Sequence, residues 1–113
     1  MSKLSEVLVR HREQDAAQTD ADIEAVLGTE AGRRVLMTLL QRGGAWRRTG
    51  YCDGDAVRLA YETGRRDGAV DLLAECNRVD AGMVAKAMAE KNGRDGKRCE
   101  EIRAARAEDA IGD

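Results

Sequence analysis

The sequence predicts an all-α protein, a small helical domain of about five helices, and three observations carry that prediction. Proline is absent, and alanine, the best helix former, supplies 18 of 113 residues. Apolar residues recur at three- and four-residue steps, the period of a helix with one buried face. Ser, Thr or Asp stands ahead of these stretches and Gly follows several of them, as helix caps require. The core is thin, because Leu, Ile, Val and Phe together make 20 of 113 residues and Phe is missing altogether. With 19 basic and 21 acidic residues the net charge is only −2, too small to hold such a chain unfolded by self-repulsion.

Taken in order, Leu4, Val7, Leu8 and His11 mark a first helix capped by Ser2 or Ser5 and running to about Ala17. Thr19 or Asp20 then caps a short second helix through Ile23, Val26 and Leu27, closed by Gly28. Thr29 caps the best-marked helix, 30–42, with Glu30 in its first turn and Gly43-Gly44 at its end. Residues 43–54 read as a loop long enough to have a role of its own. Asp53 or Asp55 caps a helix over 55–77. Helices 30–42 and 55–77 are expected to form the core, burying Leu36, Leu39, Leu40, Tyr61, Gly64, Gly68 and Leu72. Gly64 and Gly68 fall on the apolar face, which predicts close approach of another helix there.

Asp80 caps a further helix that Asn92-Gly93 ends, and a last one starts after Asp95-Gly96. From Ala81 onward only Met83, Val84, Met88, Ile102 and Ile111 are large and apolar, five residues in thirty-three. So few cannot offset the ordering entropy of the segment, roughly 1–2 kcal/mol per residue for the backbone. The chain therefore divides into a helical core domain, 1–78, and a helical C-terminal extension, 79–113. Either the extension docks on another subunit through Met83, Val84, Met88 and Ile102, which predicts a homo-oligomer or a bound subunit, or it is a flexible tail.

Several chemistries lack their residues. His11 is the single histidine, and the only serines, Ser2 and Ser5, sit at the terminus, so no nucleophilic triad is expected. Cys52, Cys76 and Cys99 lie far apart with His11 as the only further soft ligand, a poor zinc set. The odd count and the spacing read as free thiols. Gly64-Arg-Arg-Asp-Gly68 lies inside a helix and is not a phosphate loop. No enzyme activity, cofactor or metal is expected. No run approaches the ~20 apolar residues of a membrane span, and the N-terminal stretch lacks the apolar segment of a signal peptide.

The basic cluster is more informative. Between Glu30 and Cys52, Arg33, Arg34, Arg42, Arg47 and Arg48 face one acid, Glu30, with Trp46 and Tyr51 among them. Arginines with stacking aromatics fit a phosphate or single-strand contact. Arg33, Arg34, Arg47, Arg48 and Trp46 are thus candidates for nucleic-acid or partner contact, with DNA as one ligand. The structural reading, the one the sequence favours, makes Trp46 and Tyr51 loop anchors. It pairs Glu30 with Arg33 and Arg34, and Glu62 with Arg65 and Arg66, at i,i+3 and i,i+4.

One internal echo stands out: Glu30-Ala-Gly-Arg-Arg34 recurs as Glu62-Thr-Gly-Arg-Arg66. Apolar pairs follow both, Leu39-Leu40 and Leu72-Leu73. With Val35-Leu36, Gly44-Ala45-Trp46 and Asp67-Gly68, these residues make the chain resemble a family of small proteins from the head-gene clusters of tailed, chiefly short-tailed, bacteriophages, first defined in a Bordetella phage. The resemblance spans residues 23–77. The aromatic usual beside the tryptophan position is absent here. The resemblance implies a non-enzymatic structural or assembly component of the head or portal region. It would reside in the virion, and in the host cytoplasm during assembly, with capsid or portal proteins as partners. A small DNA-associated protein is the alternative.

Overall fold

Ser2 and Thr29 each begin a helix by the same device. The Ser2 hydroxyl accepts a hydrogen bond from the Ser5 amide, and the Thr29 hydroxyl from the Gly32 amide at 3.0 Å. Such caps are worth about 1 kcal/mol each. The computed structural model describes residues 2–47 and 54–112. They form α1 (Lys3–Leu27), α2 (Glu30–Gly43) and α3 (Ala56–Gly112), with no strand among the described residues.

The count is three helices, not about five. The expected break near Ala17 does not occur, because Thr19 does not cap. Its hydroxyl donates to the Asp15 carbonyl at 2.9 Å, a bond made inside a continuing helix, and the Gln18 amide donates to Asp22 one turn on. The expected stop at Asn92-Gly93 is also absent. Lys91 Nζ reaches Asp95 Oδ2 at 2.5 Å, an i,i+4 pair that bridges Gly93. Two other expected ends are present. Gly44 closes α2 in the left-handed region at φ 81, where a side chain would be strained. Asp55 caps α3 by accepting from the Arg58 amide. Asp53 lies outside the described residues.

The joint foreseen at Asp80 exists inside α3. Asp80 leaves helical geometry at φ −158, ψ 87, and its Oδ1 accepts from the Met83 amide at 3.0 Å. α3 therefore has two arms, 56–79 and 81–112. The α1–α2 hairpin packs against both, with α2 touching α1 and α3.

The core is Leu27, Leu36, Met37, Leu40, Ala45, Ala69, Cys76, Val84 and Ala87, flanked by Ile23, Leu73, Met83 and Met88. Leu36 and Leu40 are buried as expected, whereas Leu39 is 52% exposed, Tyr61 68% and Leu72 37%. The face of α2 that turns inward is 33, 36, 37 and 40, rotated from the apolar stripe the sequence displays. A close helix crossing is present, but its glycine is on α2. A Cβ on Gly43 would stand 2.7 Å from that of Ala69, while Gly64 and Gly68 have open space around them. Packing also passes the expected boundary at residue 78, since Val84 and Ala87 sit in the same core as Leu40.

The ends of the long helices leave this centre. Residues 8–19 of α1 and 97–112 of α3 are exposed throughout. The molecule measures 79 × 41 × 16 Å, with a radius of gyration of 20.5 Å. A compact domain of this length would have about 13 Å.

Candidate functional site

The two Gly-Arg-Arg motifs do related work. In the first, Arg33 is buried at 7% exposure although it carries a charge. Its Nη1 donates to the carbonyl of Leu27, the last residue of α1, at 2.9 Å. Its Nε and Nη2 form a fork on Glu90 of α3 at 2.6 and 3.4 Å. In the second motif, Arg65 donates to the Arg42 carbonyl, and Arg66 donates to the Arg47 carbonyl at 2.6 Å. Each motif thus brings arginine to the carbonyl end of the helix before it, where unpaired acceptors and the helix dipole favour a cation. The local pairing expected of Arg33 with Glu30 is replaced by a pair 57 residues apart in sequence. The hydrogen bond from Arg33 holds the Glu90 carboxyl below its ordinary range, and Glu90 in turn raises the guanidinium.

Arg33 is consequently unavailable to a ligand, although the sequence grouped it with the contact residues. Arg34, one residue on, is exposed and borders a cleft of about 170 Å³ with Arg94 and Arg98. Trp46 and Arg47 line a neighbouring cleft of about 430 Å³ together with Met88 and Lys91. Lys91 Nζ stands 5.9 Å from the centroid of the indole, within cation–π range. Trp46 keeps 44% of its surface exposed, so it does not serve as the buried loop anchor the sequence favoured. That part falls to Ala45, 9% exposed, whose amide donates to the Leu40 carbonyl at 3.0 Å. Arg48 and Tyr51 lie outside the described residues.

Arg34, Trp46 and Arg47 therefore share a face with Lys91, Arg94 and Arg98, three cations that sequence reasoning passed over as a solvated run. Their spacing, at i, i+3 and i+7, was the available signal. Sequence reasoning also missed Arg78, which bridges Asp20 of α1 at 2.6 Å and Glu75 at 2.8 Å. That clamp lowers the Asp20 pKa, chiefly through the hydrogen bond from Arg78.

The four residues expected to meet another subunit separate. Val84 is 2% exposed inside the chain's own core, and Met83 and Met88 pack beside it. Val84 is therefore not available for a subunit contact. Ile102, on the projecting end of α3, is 52% exposed. Of the thiols, Cys76 is buried in the core, which raises its pKa by desolvation, and Cys99 is exposed. Among the described residues no helix is long and apolar enough to cross a membrane.

A family model of Bbp19-like phage proteins matches residues 23–89, which include both Gly-Arg-Arg motifs, Trp46 and the Asp80 joint. Neither a curated protein nor a solved structure matches the chain.

Proposed function

The chain belongs to the Bbp19-like phage protein family, and from that membership we propose that it is a non-enzymatic structural or assembly protein of the phage head or portal region. It acts by contact with other virion proteins, those of the capsid or portal. Its place is the virion, and the host cytoplasm while particles assemble. The observation that carries this reading is the form of the molecule. A small packed centre holds helical ends outward over 79 Å, with Ile102 and Ile111 exposed on the end of α3. Such ends offer surface to neighbours at little cost in chain length. The test is protein mass spectrometry on purified, nuclease-treated particles. Recovery at a fixed copy number per particle supports the reading, and absence from particles and their assembly intermediates opposes it.

A second reading is supported by the basic face. Arg47 and Lys91 flank a half-exposed Trp46, and Arg34, Arg94 and Arg98 line the adjoining cleft beside Asp95, cations and an aromatic of the kinds that grip a phosphate backbone and stack on a base. It makes the protein a DNA-associated component contacting packaged DNA. Duplex or single-stranded DNA binding that falls steeply with salt, and that Arg94→Ala with Arg98→Ala weakens, favours this second reading.

A further inference from the structure

The first half of α1 has an exposed apolar side with none of the described residues packed on it, and the second half borders an apolar groove that none of them fills. Leu4 is 69% and Leu8 52% exposed, and they share a helix face with Val7. The groove, about 340 Å³, is bordered by Ile23 and Val26 of α1, Val35 and Leu39 of α2, and Leu72 of α3. Val26, Val35 and Leu39 are 45, 56 and 52% exposed. Leu8 precedes Val26 by eighteen residues. That is about five helical turns, so the two point the same way. Both unpartnered surfaces therefore lie on one side of one helix, at opposite ends.

Charge runs along α1 in a matching fashion. Residues 3–12 carry Lys3, Arg10 and Arg12 against Glu6. Residues 13–27 carry Glu13, Asp15, Asp20, Asp22 and Glu24 and no basic residue. Cations toward the N-terminus and anions toward the C-terminus oppose the helix dipole and weaken an isolated helix. The same order is favourable if a second α1 lies antiparallel, because each positive half then meets a negative one.

We infer that this face pairs two copies of the chain about a two-fold axis, α1 antiparallel to α1. With the axis at Asp15, Leu4 of one copy lies opposite Val26 of the other, and Arg12, on the same side of α1 as Leu8, comes within about one turn of Asp22. Arg12 comes within one turn of Asp15 of the second copy, which offsets the approach of the two Asp15 carboxylates. Leu4 and Leu8 of each copy enter the groove of the other, so both grooves fill at once and the contact closes as a dimer. Leu4, Leu8, Val26, Val35, Leu39 and Leu72, all exposed, offer on the order of 500 Å² per copy, most of the ~800 Å² per partner of a standard interface. The inference goes beyond the proposed role in the particle and does not depend on it.

The experiment is the mass of the full chain in solution by light scattering and sedimentation across a concentration series. The wild-type chain is expected to be a dimer. Leu8→Glu and Leu39→Glu, both at exposed positions, should each weaken it roughly tenfold or more while helical content stays the same. Arg12→Glu should weaken it too, and adding Asp15→Arg and Asp22→Arg to that same chain should restore it. A wild-type monomer, an assembly larger than a dimer, a dimer indifferent to Leu8→Glu and Leu39→Glu, or no restoration by the charge exchange overturns the proposal.

Discussion

Arg33 and Glu90, 57 residues apart in sequence, form a forked ion pair at 2.6 Å that ties α2 to the second arm of α3. The same guanidinium holds the last carbonyl of α1, so one side chain joins all three helices. A forked guanidinium suits this geometry, and an ammonium cannot reproduce it. Arg33→Lys should lower the melting temperature, and Arg33→Ala should lower it further by leaving the Leu27 carbonyl and Glu90 unmatched. Arg34→Ala, one residue on but exposed, should leave it unchanged. Equal loss from Arg33→Ala and Arg34→Ala would contradict the assignment.

Acid should unfold the protein through a small set of carboxylates. Glu90, Asp20 and Asp95 are held below their ordinary pKa values chiefly by hydrogen bonds from Arg33, Arg78 and Lys91 respectively. Near the ordinary values of 4.5 for Glu90 and 3.8 for the aspartates, the unfolded chain binds more protons than the folded one, so stability rises with pH there. The contribution is complete above those values and disappears as pH falls through the lower, folded ones. Urea midpoints between pH 7 and 3 should show this decline, and Glu90→Gln should reduce its steepness.

Core substitutions should separate neighbours that the sequence treats alike. Leu40 is 0% exposed and Leu39 is 52% exposed. Leu40→Ala should cost about 2–5 kcal/mol by chemical denaturation. Leu39→Ala, measured in the monomeric Leu8→Glu background, should cost under about 1 kcal/mol.

Glycines should divide by position. Gly43→Leu forces atoms onto Ala69 and should cost about 1–3 kcal/mol. Gly64 has open space and ordinary helical geometry, so Gly64→Ala should stabilise by up to about 1 kcal/mol. A loss on Gly64→Ala would place a neighbour where the structure has none.

The caps at Thr29, Asp55 and Asp80 were legible because a cap is a local arrangement of one side chain and an amide three residues ahead. The continuity of α1 was not, since Thr19 can cap a helix or bond backward within one, and only the chain's wider geometry decides. The inward face of α2 was hidden by its composition. Val35 and Leu39 look like core but border an open groove, while Arg33 looks like surface and is buried. Arg33 reads as a contact residue until Glu90 is known to be near it, and no local spacing reveals a pair so distant. The face around Trp46 was half visible. Its arginines on α2 stood out, whereas Lys91, Arg94 and Arg98 were masked by an alternating charge run in which their common side was easily missed.

The most direct test of a role through protein contact is the copy number of the protein in purified particles with packaged DNA and in particles that have not packaged it. Contacts with capsid or portal proteins predict the same fixed number per particle in both. Presence only where DNA is packaged, or absence from both, would contradict that role.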